Sequence, residues 1–287
     1  MLRIEKRLLA RRPQPIPTLR KRLERLAPFV PGRRKYTQMT QVDAGGVPGV
    51  QAAVPQSRGD RCVLYFHGGG YAIGTAPLYR DFLWRVAAAA RAQVLYFDYR
   101  LAPEHPFPAA LDDAFAVYRW LRTRFDVRHV AFAGDSAGGG LLLATLLRLR
   151  DEGIELPAAA AAISPWTDLA LTAPSLRTNA DADPMLHPDN LPELAQGYCA
   201  GADPRNPYIS PVYGEPAGLP PTLIQVGSDE ILRDDSVRMM EKMRAAGCEA
   251  QLEVHERMPH VWHLYARVIP EGRRAVVRMG KFLQQRI

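Results

Sequence analysis

Long apolar runs are missing from this chain. None approaches the roughly 18 residues that a membrane-crossing helix needs, so stable membrane insertion is not expected. The N-terminal end lacks the apolar stretch of a signal peptide, and no secretory signal is read there. Cysteine is scarce: Cys62, Cys199 and Cys248 are far apart, odd in number and in no metal-like spacing. That pattern argues against a disulfide framework and fits a reducing, cytoplasmic setting. The seven histidines include no H-E-x-x-H, which sets a zinc hydrolase aside. No metal and no organic cofactor is expected.

What is there suits one large domain, or one domain with an insertion: 287 residues, 47% of them hydrophobic. The net charge of +7 misleads as an average. Residues 1–35 hold twelve Lys and Arg against Glu5 and Glu24, a local +10, which leaves the rest at −3. The main body is mildly acidic, and nothing in it suggests nucleic-acid binding. In the basic segment Leu19, Leu23 and Leu26 recur at helical spacing with Phe29 following, which predicts an amphipathic helix packed on the body. An Arg-rich targeting segment or a tether to an anionic surface is the other reading. Pro13, Pro15 and Pro17 allow two short helices at most.

One stretch organises the remainder. Val130–Ala133 is short and apolar, as befits a strand buried on both faces, and the Leu- and Ala-rich run from Gly140 to about Arg150 suits a helix. Between them stands Gly134-x-Ser136-x-Gly138. A serine on a strained strand-to-helix turn lifts its hydroxyl above the sheet, and the flanking glycines let backbones approach. Five residues alone would equally fit a plain glycine-rich turn. Further signals lie upstream. Residues 37–54 alternate loosely around Gly45-Gly46, an edge hairpin. Cys62–Phe66 reads as a buried strand, followed at once by His67-Gly68-Gly69-Gly70-Tyr71, glycines whose free N–H groups can surround an anion. Residues 79–92 read as a helix and Val94–Phe97 as another strand. The proline-stiffened Asp98–Ala110 segment then reads as scaffold, with Arg100 and Glu104 as candidates to pair and His105 as a structural residue.

Together, His67-Gly68-Gly69-Gly70, the Asp98–Ala110 segment and Gly134-Asp135-Ser136-Ala137-Gly138-Gly139 resemble the bacterial hormone-sensitive-lipase-like esterases, family IV of the lipolytic enzymes. The likeness runs from about residue 60 to the C-terminus. It implies an α/β fold of the α/β-hydrolase type, with a mostly parallel sheet flanked by helices and a helical cap. The implied division is cap helices over 1–40, core over 41–168, a cap insertion over 169–207 and core again over 208–287. Ala158–Ser164 is a small-residue strand, and the insertion carries a helix near Leu191–Tyr198. Trp166, Tyr198 and Tyr208 are candidates for the acyl pocket or for ordinary core.

The resemblance also implies a serine, an acid and a histidine in that order. Leu223–Val226 reads as a strand, and Asp229, the first acid after it, is the expected orienting carboxylate. The family usually shows Asp-x-Leu-x-Asp here. This chain is one residue longer, which keeps Glu230 and Asp234 in play; the acids before the 234–246 helix suit its N-terminus. After a strand over Ala250–His255, His260 matches the family's loop histidine, with His263 as rival and His255 a poor candidate. Residues 270–286 read as a closing amphipathic helix. The expected chemistry is attack by Ser136 with His260 as base, the oxyanion resting on N–H groups of Gly68, Gly69 and Ala137. The expected reaction is hydrolysis of short- to medium-chain acyl esters, small molecules. An amidase or peptidase with the same triad, or a non-catalytic receptor like those of plant gibberellin, is the alternative. A homodimer is an expectation from resemblance alone.

Overall fold

The structure, a computed structural model, describes residues 15–27, 30 and 37–287. The first of the two expected N-terminal helices lies outside these residues, as do Phe29 and the side chain of Leu26. The second is α1, Ile16–Leu26. The edge hairpin expected over 37–54 follows, as β1 (Gln38–Asp43) and β2 (Pro48–Ala53). The chain then alternates strand and helix: β3 (Arg58–Phe66), α2 (Ala76–Ala90), β4 (Ala92–Phe97), α3 (Ala109–Leu121), β5 (Val130–Asp135), α4 (Ala137–Asp151) and β6 (Ala159–Ile163). An insertion without strands carries α5 (Ser175–Thr178) and α6 (Leu191–Cys199). The alternation resumes with β7 (Thr222–Gly227), α7 (Arg233–Ala245), β8 (Ala250–His255) and α8 (Pro270–Gln284).

The eight strands form one sheet in the order β1-β2-β4-β3-β5-β6-β7-β8. Only the β1–β2 and β2–β4 pairings are antiparallel. In β5 every residue is buried, because helices cover both faces: Ala131 and Ala133 join the core under α2 and α8, while Phe132 joins that under α3, α4 and α7. A strand with no wet face keeps no polar alternation, which is why this stretch reads as a continuous apolar run. The consequence for chemistry is directional. Parallel strands deliver their carboxyl ends to one rim, and the loops leaving β3, β5, β6, β7 and β8 converge there.

The Asp98–Ala110 segment is scaffold, but its expected pair does not form. Arg100 turns to Asp113 on α3 (Nη2–Oδ1 2.7 Å), and Glu104 receives Arg20 of α1 instead (2.8 and 2.9 Å). The proline-rigid bend holds Arg100 and Glu104 on different sides of the chain, each facing a different helix.

Candidate active site

Ser136 stands between the last residue of β5 and the first of α4, with φ 54° and ψ −125°. A non-glycine residue in such a conformation costs about 1–3 kcal/mol and persists only where its surroundings enforce it. They do so here by crowding. The Ser136 N–H donates to the carbonyl of Ile163 at 2.8 Å, and a Cβ on Gly138 would lie 2.2 Å from the carbonyl oxygen of Phe66. Only glycine lets α4 start so close to β3.

The hydroxyl of Ser136 lies 2.9 Å from His260 Nε2, and His260 Nδ1 lies 2.8 Å from Glu230 Oε2. Asp229, the carboxylate expected in this place, is not there; its Oδ1 accepts from the neighbouring Ser228 hydroxyl at 2.9 Å. The reason is the tight turn after β7. The Glu230 N–H reaches back to the Gly227 carbonyl, so the fourth residue of the turn, not the third, folds under the strand end. The other oxygen of Glu230 accepts from the Ser164 hydroxyl (2.8 Å) and the Gly227 N–H (2.5 Å). Ser164 in turn accepts the Val261 N–H at 3.3 Å, which ties the acid loop to the histidine loop. Burial alone would depress the imidazole, but the hydrogen bond and charge of Glu230 outweigh it, so His260 sits above its ordinary value.

The rival residues are occupied elsewhere. His263 is buried against Gln225, 2.9 Å from its Oε1, and burial drives its pKa far down. His255 pairs with Glu253, His105 is exposed, and Asp234 accepts the Ser175 N–H.

The glycine loop after β3 also departs from expectation. The Gly68 N–H donates to the Tyr79 hydroxyl oxygen (2.9 Å) and to Asp135 Oδ1 (3.1 Å), so it is not free to meet an oxyanion. Asp135 further accepts the hydroxyls of Tyr65 (2.7 Å) and Tyr79 (3.1 Å), and burial lifts its pKa to about 6. Among the described residues the N–H groups of Gly69, Gly70 and Ala137 have no acceptor. Gly69 has φ +115°, and a Cβ there would fall 2.0 Å from the Ile73 carbonyl oxygen. Gly68 is thus the anchor of the loop, and the Gly70 N–H is left open beside that of Gly69. Three consecutive glycines carried that possibility, but not which of them a carboxylate would claim.

A cavity of about 660 Å³ opens over Ser136. Its roof is apolar: Ile16, Leu19 and Leu23 from α1, and Met185, Leu186 and Leu194 from the insertion. Trp166 lines it, whereas Tyr198 stacks on Tyr71 at 3.7 Å and the Tyr208 hydroxyl donates to Asp151 at 2.8 Å. The guanidinium of Arg20 fastens α1, donating to the carbonyls of Ala72 and Ala102 (both 2.7 Å) besides Glu104. Arg80 does the same for the following segment through the carbonyls of Ala27 and Val30.

Residues 63–264 match the α/β-hydrolase fold family. An acetyl-hydrolase of Streptomyces hygroscopicus is 46% identical over 231 residues, covering 80% of this chain and 77% of that one. The crystal structure of an esterase from the bacterial hormone-sensitive lipase family superposes with a TM-score of 0.94 at 41% identity, covering 100% and 97% of the two chains. That of EstE5, soaked with p-nitrophenyl butyrate, gives 0.92 at 40% identity, covering 99% and 98%. The chain belongs to the hormone-sensitive-lipase-like esterases of the α/β-hydrolase family.

As a member of that family it is a carboxylic ester hydrolase. Among the described residues of this esterase, no helix is long and apolar enough to cross a membrane, and no cluster of three or more His, Cys, Asp or Glu could hold a metal ion.

Proposed function

We propose that this esterase cleaves short- to medium-chain acyl esters through an acyl-enzyme on Ser136, with His260 as base and Glu230 as orienting carboxylate. The observation that carries the reading is the unbroken contact from the Ser136 hydroxyl through His260 to Glu230. A serine hydroxyl is a weak nucleophile at neutral pH, so neutral His260 takes its proton as Oγ attacks the ester carbonyl. Glu230 fixes the tautomer with the proton on Nδ1 and stabilises the imidazolium that forms. The oxyanion rests on the N–H groups of Gly69, Gly70 and Ala137, each donor contributing about 3 kcal/mol of transition-state stabilisation. His260 then returns its proton to the leaving alcohol. Water, deprotonated by the same imidazole, attacks the acyl-enzyme and releases the acid. Short and medium acyl groups suit an apolar cavity of this size, with one of its sides closed by α1. Relatives named as an acetyl-hydrolase and soaked with a butyrate ester support the short end of that range.

The test is turnover of p-nitrophenyl esters from acetate to palmitate by wild type and Ser136→Ala. The expected result is turnover of the shorter esters, decline towards palmitate, and a loss of about 10⁴-fold or more in the variant. Wild type no faster than the variant on every ester overturns the reading.

A further inference from the structure

We infer that Asn179 and Asp183, two buried side chains of the insertion, are positioning residues for the acid of the triad, and that Asp183 joins it to the cavity wall. This rests on the proposed roles of Ser136, His260 and Glu230.

Glu230 lies in no strand or helix. It sits in the connection between β7 and α7, whose backbone groups would be left unpaired without outside partners. The insertion supplies them. Asn179 Nδ2 donates to the carbonyls of Ser228 and Glu230, both at 2.9 Å, so one amide grips the turn on two sides of Asp229. Asp183 Oδ2 accepts the N–H of Ile231 at 3.0 Å, immediately after Glu230. Ser175 adds two more bonds, its hydroxyl donating to the Ile231 carbonyl (2.7 Å) and accepting the Asp234 N–H (3.0 Å). The acid loop is therefore held by the segment that also roofs the cavity.

Asp183 has a second attachment. Its Oδ1 accepts the N–H groups of Met185 (2.8 Å) and Leu186 (3.0 Å), both of which line the cavity. One carboxylate thus spans from the wall that a bound ester presses on to the residue after Glu230. A neutral acceptor could have satisfied these N–H groups; a fully buried carboxylate brings charge as well. The charged and titratable groups facing His260 are Glu230 from the turn after β7, Asp183 from the insertion, Asp135 from the end of β5, and His263 from its own loop. Asp183 and Asp135 add to Glu230 in favouring the imidazolium.

Charge and position separate in two variants, measured on p-nitrophenyl acetate between pH 5 and 9 beside wild type and Ser136→Ala. Asp183→Asn should lower kcat about tenfold and move the acid limb of kcat/KM down by about half a unit to one unit, because one anion facing the imidazole is gone. Asn179→Ala should lower kcat by a similar factor of about ten, leaving KM and the acid limb in place, because the charge stays while the turn loosens. A merely structural role would lower the melting temperature without moving either limb or kcat, and that outcome in both variants overturns the inference. If Asp183→Asn fails to fold, Asn179→Ala decides: an unchanged kcat overturns the inference, a fall in kcat at constant KM supports it. Wild type no faster than Ser136→Ala overturns the functional reading and this inference with it. A clear difference there, with unmoved kcat and limb in the insertion variants, overturns this inference alone.

Discussion

The floor and the roof of the cavity are built by opposite rules. On the floor the polar side-chain atoms of Ser136, His260 and Glu230 all have partners, and Glu230 and His260 are buried at 0% and 3% exposure. The roof is a set of aliphatic side chains on α1 and the insertion, and α1 is fastened by Arg20 to two carbonyls and a half-exposed carboxylate. Buried polar networks tolerate little change, because removing one member strands the others in low dielectric. An apolar roof tolerates substitution of shape for shape. Under the proposed function, the floor fixes which bond is attacked and the roof decides which acyl chain reaches it.

The largest effect that could break this comparison is on the floor, between two adjacent acids. Glu230→Gln keeps the shape but removes the charge that orients and stabilises His260. It should cost about 10³–10⁴-fold in kcat on p-nitrophenyl acetate. Asp229→Asn, one residue away, should stay within about twofold, because among the described residues that carboxylate bonds only the Ser228 hydroxyl. The reverse pattern would return the role to Asp229.

That pair of residues also marks how far the sequence could be read. The elbow, the glycine loop, the edge hairpin and the strand–helix order were legible because each is local: period, glycine placement and chain order suffice. His260 was legible by its place after the last strand. The acid was not. Which of Asp229 and Glu230 folds inward depends on a turn closed by one hydrogen bond, and sequence order alone favours the first acid met. The bonding of the Gly68 N–H was not legible for a similar reason: the tyrosine that takes it stands on the following helix α2 and the carboxylate on β5, 67 residues on. Arg100 and Glu104 looked like a local pair, but Asp113 on the next helix and Arg20 on α1 claimed them. Asn179 and Asp183 carried no motif at all; only the packed insertion brings them to the acid loop.

A second effect, of intermediate size, sharpens the account of the floor. In the proposed mechanism His260 acts as a base only when neutral, and Glu230 holds its pKa above the ordinary 6.5. As pH falls through that raised value the imidazole gains a proton, and kcat/KM should drop about tenfold per pH unit below a midpoint above 6.5. Glu230→Gln removes the group that raises it, so its residual activity should show the midpoint moved down. Asp229→Asn should leave the midpoint where wild type has it. A wild-type midpoint below 6.5 would contradict the pairing of His260 with Glu230.

The smallest effect belongs to the roof. Arg20→Ala deletes the bonds to Ala72, Ala102 and Glu104 without touching the triad. Helix α1 then loses those anchors, and Ile16, Leu19 and Leu23 no longer meet a bound chain in fixed positions. An acetyl group is too short to need them; an octanoyl group is not. KM for p-nitrophenyl octanoate should therefore rise about three- to tenfold, the size of losing one or two methylene contacts, while KM for the acetate and kcat for both stay within about twofold. An equal change on both esters would mean that α1 acts on the floor as well as the roof. The polar floor and the apolar roof would then be coupled through Arg20 as well as through Asp183, which bonds both.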